Sequence, residues 1–142
     1  MKYKDIFIGM TATKNLLVSK ELIRQFADVT GDHNPLHLDE TYAADTVFGG
    51  CIAHGMIAGS LISALLAEQF PGSIYLSQEL RWFLPVRPGD TVQANFEVID
   101  KLDQKQHIVL STNCQNQKGE TVLQGKAVIK IDSRIHDLTE SP

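Results

Sequence analysis

Apolar and polar positions alternate along much of the chain with the two-residue period of a β-strand. From Thr91 to Val98, every even-numbered residue is apolar and every odd-numbered residue is polar. This pattern predicts an antiparallel strand with one face buried. Similar patterns predict further strands, with turns at Arg87–Asp90 and Asn116–Gly119. The predicted strands are Ala12–Val18, Ile74–Leu84, Thr91–Val98, His107–Cys114 and Glu120–Ile131.

Apolar residues recur at intervals of three and four between the first predicted strand and the others. Ser19 is a good N-cap and Gly31 a good C-cap for a helix over residues 20–30. Asp39 can cap a second, short helix that runs through Ala44. A third helix is predicted over Gly55–Gln69, and because it is apolar nearly all the way round, it should be covered on most sides.

The lengths of these elements predict an α+β fold. A helix of 15 residues is about 22 Å long, and strands of ten residues are about 33 Å long. The arrangement that fits is a long antiparallel sheet wrapped round a central buried helix, in a single domain over residues 1–142. Such a sheet leaves edge strands exposed, and pairing with a second copy would cover them. We therefore expect a homodimer.

Composition and charge exclude several classes of partner. The 142 residues have a formal net charge of -4, so no global field attracts nucleic acid or anionic lipid. The most apolar segment, Gly55–Ala67, is shorter than the roughly 20 residues of a membrane span. The first residues lack the apolar stretch of a secretory signal, so we expect a cytoplasmic protein. Cys51 and Cys114 have no metal-binding spacing and are expected to be core thiols.

Ionisable residues are concentrated in the segment Thr30–Asp39. On a helix, Asp32 and His37 would point about 140° apart. Pro35 is expected to prevent a helix here and to hold Asn34 in an extended conformation, so that the loop brings both side chains together. A carboxylate and an imidazole around one water form a general acid/base pair. The alternative is that Asp32 and Asn34 only bond their own backbone.

A second segment, Phe48–Met56, is rich in glycine and precedes the buried helix. The free N–H groups at a helix N-terminus can stabilise a negatively charged oxygen, so Gly55 is a candidate oxyanion donor. The alternative is that these glycines only let the loop pass a crowded core, with His54 as a hydrogen-bonded structural histidine. His33 and His37 have the spacing of a helical metal pair, but Pro35 lies between them, and no metal site is predicted.

These residues resemble a known family. The segments FADVTGDHNPLHLD (26–39), AHGM (53–56), SIYL (73–76) and LPVRPGD (84–90) look like those of MaoC-like dehydratases. Within that family the chain is most similar to single-domain (R)-specific enoyl-CoA hydratases. The resemblance implies a hot-dog fold, a homodimer and reversible hydration of trans-2-enoyl-CoA to (3R)-3-hydroxyacyl-CoA.

The resemblance also implies roles for individual residues. Asp32 and His37 match the family's catalytic pair, and Gly55 matches the backbone donor to the thioester carbonyl. Ser63, Asn34 and Met56 are possible substrate-binding residues, although Ser63 is equally well explained as a helix serine bonded to a preceding carbonyl. No cofactor is expected, because coenzyme A is part of the substrate.

The sequence is also compatible with other functions. An acyl-CoA thioesterase, a dehydratase acting on acyl carrier protein and a non-catalytic acyl-CoA binding module are the alternatives. Five apolar side chains are candidates for lining an acyl site, although a core position explains each of them better, and three cations are candidates for meeting coenzyme A. The apolar candidates are Met56, Ile57, Leu61, Leu65 and Trp82, and the cations are Arg81, Arg87 and Lys126.

Overall fold

The computed structural model describes residues 1–132, which contain five strands and four α-helices. A single 3-10 turn, Tyr3–Asp5, precedes them. The helices are α1 (Lys20–Thr30), α2 (Pro35–Leu38), α3 (Glu40–Ala44) and α4 (Gly55–Gln69). The strands are β1 (Thr11–Leu17), β2 (Ile74–Trp82), β3 (Thr91–Leu102), β4 (His107–Gln115) and β5 (Thr121–Lys130).

The strands form one antiparallel sheet in the order β1-β3-β4-β5-β2. Along β3 and β4, buried and less buried residues alternate, because one face of the sheet carries the core. The turn between β4 and β5 is closed by Asn116, and its Gly119 has a φ of 75°, which favours glycine. β2 lies at one edge of the sheet, where the strand has a neighbour on one side only.

Helix α4 packs on the core face of this sheet, which confirms the predicted α+β fold with a long sheet wrapped round a central helix. Its buried residues include Ile62, Leu65 and Leu66, each at most 2% exposed. The core extends past the end of the helix, where the rings of Phe70 and Phe96 have centroids 5.4 Å apart. The strands and the helix share one hydrophobic cluster.

The caps of the predicted helices are confirmed. The Ser19 hydroxyl accepts a hydrogen bond from the Leu22 N–H at 3.0 Å, and the Asp39 carboxylate accepts one from the Tyr42 N–H at 3.1 Å. Gly31 ends α1 in the left-handed conformation with φ 79°. These caps satisfy backbone groups that a helix end leaves without partners.

Two predictions about local structure are wrong. Pro35 does not prevent a helix: it occupies the first position of the one-turn helix α2, where its missing N–H has no intrahelical partner to lose. Asn34 is not helical, with φ -54° and ψ 124°, but its φ lies outside the range of a fully extended residue. Helix α4 is also less covered than its composition predicts, because Met56, Ser60, Ser63 and Ala67 form an exposed stripe along it.

Two further sequence predictions concern burial and membranes. Cys51 and Cys114 are 6% and 0% exposed, which confirms them as core thiols. Within residues 1–132, no helix combines the length and the apolar character of a membrane span. The predicted single domain extends to residue 142, and residues 133–142 lie outside the described part of the chain.

Candidate active site

The loop after α1 fixes the main chain around Asp32. The Thr30 hydroxyl donates to the Phe26 carbonyl at 2.7 Å and accepts from the Asp32 N–H at 3.2 Å. The Asp32 carboxylate in turn accepts from the Asn34 N–H at 3.2 Å and is exposed. The predicted alternative, a loop aspartate bonded to its own backbone, is therefore present in the structure. It leaves lone pairs of the carboxylate free, because a carboxylate can accept several hydrogen bonds.

His37 lies in α2 with its ring orientation fixed. Its Nδ1 is 2.8 Å from the Ile52 carbonyl oxygen, and because a carbonyl only accepts, Nδ1 carries the hydrogen. In the neutral ring, Nε2 is then the nitrogen with a free lone pair. The side chain is half-buried and lines a cavity. This imidazole is arranged to accept a proton through Nε2.

His54, the residue before α4, joins the loop to the helix. Its Nε2 donates to the Asp32 carbonyl oxygen at 3.0 Å, and the side chain is 3% exposed. The His37 and His54 rings have centroids 4.0 Å apart. The ring of Phe26, a residue of α1, has its centroid 4.9 Å from that of His54. His54 is therefore buried and hydrogen-bonded, as the second alternative in the sequence analysis described.

These three side chains form the centre of the candidate site. A carboxylate oxygen of Asp32 and one ring nitrogen from each of His37 and His54 lie within 4.8 Å of one another. A water with hydrogen bonds of about 2.8 Å can bridge atoms at such separations. One carboxylate and two imidazoles are also a set that binds zinc in other proteins, with ligand distances of about 2.0–2.2 Å. No metal was predicted from the sequence, and the absence of a metal at this site stays a prediction.

Gly55 begins α4 beside this centre. As a first-turn residue its N–H has no intrahelical partner, and it lies at the positive end of the helix dipole. The Trp82 indole N–H donates to the Gly55 carbonyl at 2.9 Å. A Cβ on Gly55 would lie 2.8 Å from that indole nitrogen, so only glycine permits this approach. The glycine is therefore required by the contact between α4 and β2.

A cavity of about 320 Å³ opens beside these residues. Its polar groups are His37, His54 and the first residue of α4, and the rest of its wall is largely apolar. The remaining lining residues are Phe48, Ile52, Ala53, Ala58, Trp82, Phe83, Leu84, Pro85, Val86 and Val122. Such a site, apolar with a few convergent polar groups, is suited to an acyl chain with a polar reacting end.

The three possible substrate-binding residues, Asn34, Met56 and Ser63, lie outside the wall of this cavity. The Asn34 side chain caps α2 by accepting from the Leu36 N–H at 3.1 Å. Met56 and Ser63 line a second groove of about 360 Å³ between α4 and β2. Tyr75 lies in the same groove, and burial raises its pKa to about 12, which keeps its hydroxyl protonated. The helix serine bonded to a preceding carbonyl is Ser60, whose hydroxyl donates to the Met56 carbonyl.

Among the five apolar candidates for the acyl site, Trp82 alone lines the cavity. Ile57, Leu61 and Leu65 are core residues, which the sequence analysis favoured. The segment Phe83–Val86 was missed as a lining segment, because an apolar run after a strand carries no signal of its orientation. The Arg81 guanidinium lies 5.7 Å from the ring of Phe83, which lines the cavity. The roles of all three cations toward coenzyme A stay predictions.

Comparison with known proteins identifies the class. The model of the MaoC-like domain matches residues 8–119 of this chain. The chain is 39% identical over 133 residues to an (R)-specific enoyl-CoA hydratase of Aeromonas caviae, covering 92% of this chain and 99% of that protein. It is 34% identical to a mitochondrial 3-hydroxyacyl-[acyl-carrier-protein] dehydratase of Solanum lycopersicum, covering 92% and 87%.

A solved structure agrees with these sequence matches. An unliganded (R)-hydratase of Pseudomonas aeruginosa superimposes with a TM-score of 0.86 at 41% identity, covering 91% of this chain and 84% of that one. The fold is the hot-dog fold, as the sequence resemblance implied. The chain belongs to the MaoC-like dehydratase family.

Proposed function

We propose that this protein is a hydro-lyase that adds water to trans-2-enoyl-CoA and forms (3R)-3-hydroxyacyl-CoA, in a reversible reaction. The observation that carries the proposal is the meeting of Asp32, His37 and His54 within 4.8 Å, at the N-terminus of a buried helix. Its support from relatives is the 39% identity to an (R)-specific enoyl-CoA hydratase over nearly the whole of both chains.

In this proposal, Asp32 and His37 hold the reacting water. His37 is suited to accept the water proton at Nε2, because its Nδ1–H is bound to the Ile52 carbonyl. The oxygen then forms a bond to C3 of the enoyl group, the C2–C3 electron pair forms the C1–C2 double bond of an enolate, and the carbonyl pair moves to the thioester oxygen. A proton from the same Asp32–His37 pair reaches C2, and this protonation restores the thioester carbonyl. The sum is one water added across one double bond.

The thioester oxygen carries negative charge in the enolate, and in this proposal the Gly55 N–H stabilises it. The donor lies at the first position of α4, so the helix dipole acts in the same direction. Loss of one such donor costs about 3 kcal/mol of barrier height. The acyl chain would extend into the apolar cavity lined by Trp82 and the segment 83–86.

We further propose that the protein acts as a homodimer in the cytoplasm. Support comes from β2, which lies at the edge of the sheet and exposes Ile74, Tyr75 and Leu76 by 38–46%. Met56 of α4, beside the same groove, is 49% exposed. An uncovered strand edge with apolar side chains is a surface that a second copy would bury. Sedimentation of the purified protein at micromolar concentration measures its mass directly.

Activity is tested with crotonyl-CoA, by following the loss of absorbance of the conjugated thioester. Coupling to an (R)-specific dehydrogenase checks the configuration of the product. Asp32→Asn and His37→Gln should each lower kcat by at least roughly 100-fold, the lower end of an acid/base contribution. Asp28→Asn is the matched control, because Asp28 is an exposed carboxylate whose side chain binds the His33 ring at 3.1 Å.

Other outcomes would favour other functions. Release of free thiol from acyl-CoA would indicate a thioesterase, since hydration leaves the thioester intact. Binding of acyl-CoA by a folded protein that turns over neither thioester would indicate a binding module. Near-normal turnover of a folded Asp32→Asn or His37→Gln variant would remove that residue from the mechanism.

A dehydratase acting on acyl carrier protein is the second candidate. The 34% identity to the mitochondrial dehydratase of Solanum lycopersicum favours it, although at lower identity than the enoyl-CoA hydratase. Crotonyl thioesters of coenzyme A and of acyl carrier protein, compared by kcat/KM, distinguish the two substrates. A kcat/KM at least roughly 10-fold higher with the carrier-protein thioester corresponds to about 1.4 kcal/mol of additional transition-state stabilisation. That result would replace the first proposal by this one.

A further inference from the structure

His54 contacts the elements that carry each of the three groups used in the proposed hydration. Its Nε2–H binds the Asp32 carbonyl, its ring stacks on His37 with centroids 4.0 Å apart, and its own peptide bond leads into Gly55. Phe26 supports the ring from α1 at 4.9 Å. One buried side chain therefore connects the loop of the carboxylate, the imidazole and the N-terminus of α4.

The hydrogen bonding of His54 is unfavourable for a residue that only fills the core. Because Nε2 carries the hydrogen, Nδ1 is an acceptor in the neutral ring. Nδ1 is buried and has no hydrogen-bond partner among residues 1–132. An unsatisfied buried polar group costs about 1–3 kcal/mol of stability. An apolar ring of the same shape would avoid this cost but would lose the Nε2–H bond to the Asp32 main chain. That bond, and not the filling of the core, is what distinguishes the histidine from an apolar residue.

We propose that His54 is a positioning residue of the active site. Its Nε2–H holds the main chain of Asp32, and its ring fixes the plane of His37, so that both reach the same water. This inference rests on the proposed function, since it assigns His54 a role in that reaction. Positioning matters because a displacement of about 1 Å at a reacting group can cost roughly 100-fold in rate. In this role His54 acts through Asp32 and His37, and it neither gives nor takes a proton in the reaction.

The test compares His54→Phe with His54→Gln. Phe keeps a ring between Phe26 and His37 but removes both nitrogens, including the unsatisfied Nδ1. We expect kcat to fall roughly 10- to 100-fold with KM changed by less than about threefold, while the unfolding midpoint stays equal or rises. Gln places an N–H donor near the Nε2 position and should recover most of the lost kcat. His107→Phe on β4 is the matched control and should keep the normal kcat.

A second measurement does not depend on turnover. The amide of His33 belongs to the peptide group whose carbonyl accepts the His54 bond, so its 15N signal reports that bond. The signal should shift in His54→Phe and return toward its normal position in His54→Gln. If His54→Phe does not fold, His54→Asn replaces it, because its shorter amide ends before the Nε2 position.

The outcomes separate this inference from the proposed function. A wild-type protein that hydrates no enoyl thioester refutes the proposed function. A wild-type protein with hydratase activity, whose folded His54→Phe variant keeps full kcat, refutes the positioning role. An unshifted His33 amide signal in His54→Phe also refutes the positioning role. If His54→Asn has to be used instead of His54→Phe, equal kcat values of the His54→Asn and His54→Gln variants refute it.

Discussion

The loop region 31–54 and the sheet with its central helix are held together by different forces. In the loop, most side chains are exposed, and polar groups fix the backbone through caps and turns such as those of Asp32, Asn34 and Asp39. In the sheet, apolar side chains alternate into one core. The loop contributes the two proposed acid/base residues, whereas the sheet and α4 contribute the apolar wall and the helix N-terminus.

This difference separates stability from positioning. Burial of apolar area is strong but non-directional, so it fixes the fold without fixing the angle of a side chain. Hydrogen bonds contribute less, about 0.5–1.5 kcal/mol each, but they fix direction. Substitutions in the sheet region should therefore lower stability, and substitutions in the loop region should lower kcat.

The largest effect is expected from Leu65→Ala in the middle of α4. Leu65 is 0% exposed and lies outside the cavity wall, so truncation leaves a void in the core. The free energy of unfolding should fall by about 2–5 kcal/mol, measured by urea denaturation. The kcat of the folded fraction should stay normal, with Ala67→Ser on the exposed side of α4 as the control. A specific loss of kcat would place Leu65 in the acyl site instead of the core.

Gly55→Ala acts where the two regions meet. The new Cβ would lie 2.8 Å from the Trp82 indole nitrogen, so α4 or the indole must shift, and the donor N–H shifts with it. We expect kcat to fall roughly 100-fold, as for a displacement of about 1 Å, with a smaller loss of stability. Gly50→Ala is the control, because its Cβ would meet its nearest atoms at ordinary distances of 3.8 and 3.9 Å. Normal kcat in Gly55→Ala would contradict the proposed oxyanion role.

The same division explains what could be predicted from the sequence. Periodicity gave α1 and α4 with their observed ends and the strands to within a few residues, because it reports which face is buried. It could not show that Pro35 starts a helix instead of preventing one, since proline is compatible with both. It also could not place Ser63 or Met56 in the groove between α4 and β2, because the periodicity of a helix does not say which strand lies beside each of its faces.

Asn34→Ala should have a smaller effect, confined to the loop. The substitution removes the cap of α2, the helix that carries His37, at a local cost of about 1 kcal/mol. Because α2 is a single turn, we expect a change of less than about 1 kcal/mol in global stability and a threefold to tenfold fall in kcat. Asn34→Ser restores a capping oxygen and should restore kcat. If the serine variant instead keeps a raised KM, Asn34 contacts the substrate, as the sequence analysis allowed.

The smallest effect is expected in the rates at which the two thiols, one in each region, react with an alkylating reagent. Burial raises the pKa of Cys51 in the loop, and raises that of Cys114 on β4 to about 12. Because burial raises both pKa values above that of an ordinary thiol, both groups are thiols at pH 8, and their reactivity increases as the pH rises. Cys114 also donates to the Ala58 carbonyl, so modifying it requires the sheet and α4 to separate. Cys51 requires only the loop to open, and it should react with iodoacetamide at least about tenfold faster, as followed by mass spectrometry of the native protein. Equal rates would mean that loop and sheet open together, and the separation of positioning from stability would then fail.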